Sequence, residues 1–448
     1  MPPMHTLEQL RSGALAGIRR LDLTCGLTAL PPEVFDLADT LEVLNLSGNR
    51  LTELPHDLPR LHRLKVVFAS DNPFTHLPEV LGDCALLEMV GFKACRVQHV
   101  PEAALPPKLR WLTLTDNCIS TLPSNMGNHS LLQKLMLAGN QLTHLPDSLA
   151  QAHRLELIRL SANRLTQLPG WLTELPALAW LALSGNPLGW STVAPAQPLP
   201  TVAWSQLRLD GVLGEGASGR IHRVHPTGSA SGAEVPSALK LFKGAVTSDG
   251  LPEHELAACR AAGQHPALCT PHAELVGHPQ GLAGLLLPLI PASHTNLAGP
   301  PSLDSCTRDV YPNDLRLAPG AALHLARQMA GALAHLHAQG VLHGDFYAHN
   351  MLWNPVSGQA TLSDFGAATL LPVHDPALRR ALQALDARAF GLWLQELLPL
   401  VSPDDALHLP NRAHLSAVNG LAQACQAPVP AQRPTMAEVV EAMEGFGR

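Results

Sequence analysis

The sequence predicts a chain of two parts, an α/β solenoid of short repeated units and, beyond a proline-rich spacer, a second domain with a core of its own. Three observations carry this. A leucine pattern recurs about every 23 residues through residues 1–186. Pro187, Pro195, Pro198 and Pro200 then crowd residues 187–203, a composition that favours a semi-rigid spacer over a loose tether. Finally, 448 residues with 46% hydrophobic content exceed what one ordinary core needs and suffice for two.

The segments beginning at Leu41, Leu64, Leu87, Leu109, Leu132 and Leu155 share L-x-x-L-x-L-x-x-N-x-L-x-x-L-P, at a period of 23 that one 22-residue unit interrupts. Asn49, Asn72, Asn117, Asn140, Asn163 and Asn186 hold the asparagine position, Cys95 replaces it in the shorter unit, and Gly26 does so in the opening one. Each unit supplies a short strand, an asparagine that satisfies backbone groups at the turn, and a return segment opened by Leu-Pro. No unit can bury its leucines alone, so stacking builds the core. This array resembles the 23-residue leucine-rich repeats of cytoplasmic proteins.

Period-two alternation along each strand directs the residues between the core leucines to the concave face. Reading those positions unit by unit gives an apolar stripe of Phe68, Met89, Trp111, Met136, Leu157 and Trp180. An exposed stripe of this kind is expected to bind a protein partner, unless the chain covers part of it itself.

After the spacer, chemistry-bearing residues fall in a definite order. Leu213-Gly214-Glu215-Gly216-Ala217-Ser218-Gly219-Arg220-Ile221 places three glycines where side chains would keep backbone amides from closing over polyphosphate. Ser237-Ala238-Leu239-Lys240-Leu241-Phe242 reads as a strand with one lysine among apolar residues, and that lysine needs an anion. Pro252-Glu253-His254-Glu255 opens an alanine-rich helix. Glu255 is the better partner for Lys240, and Glu253 remains an alternative. Leu342-His343-Gly344-Asp345 through Asn350 and Leu352, followed by Ser363-Asp364-Phe365-Gly366, offers one base and two ligands for a divalent cation.

In that order, residues 204–448 resemble the protein kinase family along both lobes, an N-lobe of about 204–287 and a C-lobe of about 288–448. The resemblance implies a two-lobed α+β fold that binds ATP and Mg²⁺. By it, Gly214, Gly216 and Gly219 match the phosphate loop, while Leu213, Ile221, Ala238 and Leu352 match the walls of the adenine pocket. Lys240 and Glu255 match the ion pair of the third strand and the C-helix, Asp345 the catalytic base, and Asn350 and Asp364 the Mg²⁺ ligands. Asp386-Ala387-Arg388-Ala389-Phe390-Gly391 is similar to the buried F-helix motif, with arginine where tryptophan is usual. Gln432-Arg433-Pro434 resembles the segment before the last helix.

Departures from the family pattern bear on regulation and on the acceptor. Gly344 stands where an arginine usually reads a phosphate on the activation loop, so activity is not expected to wait for such a phosphate. No Ala-Pro-Glu lies between Asp364 and Asp386, and Arg433 thereby loses its usual glutamate, for which Asp375 is the candidate substitute. Tyr347 occupies the position beside the base where Ser/Thr kinases carry lysine. The leading expectation is an ATP-dependent protein kinase acting on Ser/Thr hydroxyls of proteins recruited by the repeats. A small-molecule phosphotransferase of the same fold and a nucleotide-binding scaffold remain the alternatives.

The remaining composition is mostly exclusionary. A formal net charge of −7 without basic runs argues against nucleic acid. The apolar run from Gly284 to Ile290 is too short to span a membrane. Eight scattered cysteines without C-x-x-C spacing and without a signal peptide predict reduced thiols in the cytoplasm. His335 and His337 on a helix read as ordinary histidines rather than metal ligands. Residues 291–319, with five prolines, read as an insert.

Overall fold

A computed structural model of the chain describes residues 4–192, 199–216, 219–227, 236–243, 246–247, 249–402 and 409–445, with side chains omitted at 409–413. Pro195 and Pro198 of the spacer and Ala217 and Ser218 of the glycine loop lie outside these residues. By internal contacts the chain divides into residues 1–177 with 186–189, and residues 178–185 with 190–448.

In the first unit, helix α1 (Leu7–Arg11) is closed by a Thr6/Gln9 capping box and precedes the repeats. The repeats fold as eight short strands: β1 (Arg20–Asp22), β2 (Val43–Asn45), β3 (Val66–Phe68), β4 (Met89–Gly91), β5 (Trp111–Thr113), β6 (Lys134–Met136), β7 (Leu157–Arg159) and β8 (Trp180–Ala182). Strands β1 to β7 pair in parallel and in register, each residue facing its counterpart one repeat later. The return segments are single 3₁₀ turns, several of them entered from an extended proline, as at Pro31, Pro78, Pro101, Pro146 and Pro169.

The asparagines explain why the stack tolerates so little regular structure. Asn117 donates to the carbonyls of Phe92 (2.7 Å) and Leu114 (2.9 Å) and accepts from the amide of Val97 at 3.0 Å, tying adjacent turns together while itself buried. Asn140 and Asn163 repeat the arrangement one and two units on. The Cys95 thiol makes weak contacts to the Ala69 and Lys93 carbonyls at 3.5 and 3.6 Å in place of the amide's bonds.

The apolar stripe is not the exposed surface its sequence pattern implies. Phe68, Trp111 and Met136 are half-buried, whereas Met89, Leu157 and Trp180 are at most 3% exposed. Side chains at equal places in neighbouring strands stand about 4.8 Å apart and cover one another. The Lys134 ammonium, 4.0 Å from the centre of the Trp111 ring, covers more. Trp180 belongs by its contacts to the second unit.

That unit is a mixed α/β region. Strands β9 (Thr201–Ala203), β10 (Leu207–Glu215), β11 (Gly219–Pro226), β12 (Ser237–Phe242), β13 (Ala273–Val276) and β14 (Gly284–Pro288) form a sheet in the order β10-β11-β12-β14-β13-β9. All its pairings are antiparallel except β13 with β9, so residues read as the end of the spacer supply the edge strand. Val224, Leu239, Leu241, Ala273, Leu275 and Leu286 form its core, and Trp204 packs against it.

Helix α2 (Pro252–Ala262) precedes β13 in the chain. The remaining residues are mainly helical: α3 (Pro319–Ala338), α4 (Pro376–Leu397), α5 (Leu409–Cys425) and α6 (Met436–Gly445). Two small sheets join them, β15 (Thr295–Asn296) with β17 (Met351–Trp353) and β18 (Ala360–Leu362), and β16 (Val341–Leu342) with β19 (Thr369–Leu370). Gly391 lets α5 approach α4 closely, since a β-carbon there would lie 2.6 Å from that of Cys425.

Asn117→Ala strands the Val97 amide and the Phe92 carbonyl inside the repeats, while the Leu114 carbonyl keeps its bond from Asn140. It is expected to cost about 2–4 kcal/mol, read as a lower urea midpoint for the repeat region. An unchanged midpoint would show that these groups do not depend on the side chain.

Candidate functional site

Most of the residues singled out in the second half line one cavity of about 550 Å3; Asp345 does not line it and meets it only through its bond to Asn350. Leu213, Gly214, Gly216, Gly219 and Ile221 reach it from the β10–β11 hairpin, Ala238 and Lys240 from β12, and Glu255 from α2. Asn350, Leu352 and Asp364 reach it from the segments around β17 and β18. The glycines do different work. A β-carbon on Gly219 would lie 2.6 Å from the Leu241 carbonyl, so close strand packing requires glycine there. Gly214 and Gly216 have open space where a β-carbon would stand; the Gly216 amide closes the hairpin on the Gly219 carbonyl at 2.9 Å, and its carbonyl accepts from Lys243 Nζ at 3.0 Å.

Lys240 and Glu255 form a buried ion pair, Nζ to Oε1 2.6 Å, both under 10% exposed. Of the two candidate carboxylates, Glu255 makes this contact and Glu253 faces solvent. Burial opposes the charge on Lys240, but the carboxylates of Asp364 and Glu255 outweigh it and hold the ammonium above the usual lysine range. Burial likewise pushes the Glu255 carboxyl up, against the pull of Lys240. The pair therefore remains charged only as a pair. Asp364 stands 4.0 Å from Lys240, with a left-handed backbone (φ +61°), and accepts from the Gly366 amide at 3.1 Å.

Asp345 and Asn350 face each other across one turn of loop. The Asn350 amide nitrogen donates to the Asp345 carboxylate at 2.9 Å and to its main-chain carbonyl at 3.0 Å. That leaves the Asn350 amide oxygen for a cation. With the half-exposed Asp364 carboxylate it makes a hard-oxygen donor set that fits Mg²⁺ better than a softer metal.

Beneath this loop lies Asp386 of α4, fully buried. Its carboxylate accepts from the amides of His343 (2.9 Å) and Gly344 (3.0 Å) and from His337 Nε2 (3.0 Å). Burial resists its ionisation, yet the bond from His337 and the neighbouring imidazoles and amides hold it below the usual carboxylate range. Burial pushes His343 down, and its Nδ1 accepts from the Asp345 amide at 3.3 Å. Arg433, also buried, donates to the carbonyls of Ala384 and Ala427. Asp375 is not its partner; it caps α4 by accepting from the Leu378 amide at 2.9 Å.

Several site residues lay beyond sequence reasoning. Pro288 to Ala292 line the cavity after β14, offering backbone rather than distinctive side chains. Asp309, from the insert, accepts from the His349 amide (3.0 Å) and Nδ1 (2.7 Å) beside Asn350. His337 was legible only as a helix histidine. Residues 178–185 touch the loops around the site.

Two repeat models match the first half, one for leucine rich repeats over residues 130–188 and another over residues 40–61. The chain contains a leucine-rich repeat region. Stretches of a few repeats' length are also similar to curated proteins. One is the probable serine/threonine-protein kinase roco9 of Dictyostelium discoideum, 42% identical over 59 residues, which are 13% of this chain and 2% of that protein. Another is glycogen synthase kinase 1 of Pyricularia oryzae, 41% identical over 49 residues, which are 11% of this chain and 12% of that one. The chain thus spans a small fraction of either relative, and the leucine-rich repeat region is what the comparisons establish. Such repeats are protein-binding modules. No helix among the described residues is long and apolar enough to cross a membrane.

A carboxyl held low by folding contributes stability that is complete above its unfolded value near 3.9 and is lost as pH falls through the folded value. Asp386→Asn is therefore expected to melt below the parent at pH 7, by several degrees, with the gap closing below about pH 3.9. A gap that persists undiminished to pH 3 would contradict the depressed carboxyl.

Proposed function

We propose that the chain is an ATP-dependent phosphotransferase of protein kinase type, transferring the γ-phosphate to a Ser/Thr hydroxyl of a protein recruited by the leucine-rich repeats. The observation that carries this reading is the convergence of the two open glycines, the Lys240–Glu255 pair, Asn350 and Asp364 on one cavity, with Asp345 bonded to Asn350 beside it. Its volume suits a nucleotide, within the roughly 300–1,000 Å3 common for small-molecule sites. The six-stranded sheet with α2, followed by a helical half, is in keeping with the two-lobed arrangement that the resemblance implies.

In this reading the glycine hairpin closes over the triphosphate and the Lys240 ammonium holds it. Leu213, Ile221, Ala238 and Leu352 enclose the base, against the backbone of residues 288–292. Asp345, steadied by Asn350, orients the acceptor hydroxyl and takes its proton as the bond to the γ-phosphorus forms and the bond to the bridging oxygen breaks, releasing ADP. Mg²⁺ held by the Asn350 amide oxygen and the Asp364 carboxylate would neutralise phosphate charge. Placement and charge compensation supply most of the catalysis. The repeats raise the local concentration of their protein partner near the site. No disulfide joins the cysteines of the described residues, in keeping with a cytoplasmic setting.

One observation favours a second reading, transfer to a small hydroxyl compound. Only residues 371–375 separate β19 from α4, which leaves little chain for a peptide platform. Tyrosine is a poor self-acceptor in either case, since Tyr347 is buried and the Tyr311 hydroxyl donates to Glu396 at 3.0 Å.

The test is transfer of labelled γ-phosphate in the presence of Mg²⁺. The intact chain is expected to label serine or threonine of itself or of a generic protein, while Asp345→Asn loses at least about 100-fold in rate and still binds ATP. Transfer to small hydroxyl compounds alone would move the assignment to the second reading. No transfer to any acceptor, with ATP still bound, would overturn both.

Breaking the buried pair is a separate check. Lys240→Met leaves Glu255 uncompensated, and it is expected to lower stability by about 3–5 kcal/mol and to weaken ATP binding at least tenfold. ATP affinity equal to the parent's would remove Lys240 from the site.

A further inference from the structure

The last strand of the repeat pattern, residues 178–185, belongs by its contacts to the second unit, and those contacts fall on the two loops that carry the site. The Trp180 indole nitrogen donates at 3.0 Å to the carbonyl of Phe346, the residue after Asp345. Its ring stacks on Tyr347, 4.4 Å between centres and 6° from parallel. A few residues on, the Leu183 amide donates to the Thr369 hydroxyl at 3.2 Å, and the Ser184 hydroxyl to the Ala368 carbonyl at 2.5 Å. One short segment thus holds the loop of Asp345 and Asn350 and also the segment just after Asp364.

Gly344 shows how closely. Its backbone is left-handed (φ +70°), and a β-carbon there would collide with the Leu181 carbonyl oxygen and lie 3.1 Å from that of Ala367. No arginine fits at this position, because the main chain of the repeat strand occupies its space. The His-Gly-Asp departure has a steric cause.

We propose that Trp180 is a positioning residue for the phosphotransfer site. Through the Phe346 peptide and the Tyr347 ring it fixes where Asp345 points, and the strand that carries it braces the Asp364 side through Thr369. Packing within the chain thereby does what a phosphate-reading arginine would otherwise do, and the site is assembled without a modification. This rests on the phosphotransferase reading, and the test separates the two.

Trp180→Phe in the full-length chain keeps most of the ring and removes the indole donor. The expected result is a kcat about tenfold lower with the Kd for ATP within about twofold, and faster amide exchange over residues 343–350. Thr369→Val, which removes the acceptor of the Leu183 amide while keeping side-chain shape, is expected to lower kcat in the same direction. Unchanged kcat in both variants, with only a lower melting temperature, would reduce Trp180 to a packing residue and overturn the proposal. If the parent transfers no phosphate, the functional reading fails by itself, and exchange decides the positioning claim. Faster exchange over 343–350 in Trp180→Phe would support it, and unchanged exchange would overturn it.

Discussion

The arrangement of the second unit hangs on one buried carboxylate. Asp386 accepts bonds from two consecutive amides, His343 and Gly344, and from the His337 side chain. An isolated buried charge costs several kcal/mol, so this one persists because its oxygens are met by these donors. It fixes the peptide planes that enter the loop, and two residues later Asp345 emerges beside Asn350. From above, the 178–185 segment presses on the same loop, and from the side Asp309 holds His349. Three distant stretches of sequence meet on one turn.

The Lys240–Glu255 pair makes a related point about stability and function. Replacing a buried pair by apolar side chains of similar volume is often neutral or stabilising, so nothing in the packing of β12 against α2 demands it. Its value lies in what it offers the cavity, an ammonium held at a set depth and kept charged by Asp364 as well as by Glu255. The charges are placed where a polyanion can meet them, and the sheet carries the energetic cost.

Much of this was legible in the sequence, for local reasons. The repeats announce themselves because each asparagine serves its own turn and that of the unit before it, so the pattern survives at a fixed period. The candidate residues stood out because each is unusual in its local setting, as with Lys240 on an apolar strand, although Gly219 proves to be required by close strand packing under the Leu241 carbonyl. What escaped depends on contacts between residues far apart in the chain. Asp309 gives no local sign that it will meet His349, and Thr201–Ala203 read as spacer until paired with β13. The stripe from Phe68 to Trp180 was right as a periodicity. It was misleading as an exposed surface, since period two says which way a side chain points and not what covers it.

The decisive measurement is calorimetric binding of ATP to the intact chain, with and without Mg²⁺, set beside the same titrations of Asp364→Asn. A cavity built for a metal-bound triphosphate predicts that Mg²⁺ tightens binding by about tenfold or more in the parent and by much less in the variant. Absence of ATP binding, or an affinity indifferent to Mg²⁺ in both proteins, would contradict the assignment of the Lys240, Asn350 and Asp364 cavity as a phosphotransfer site.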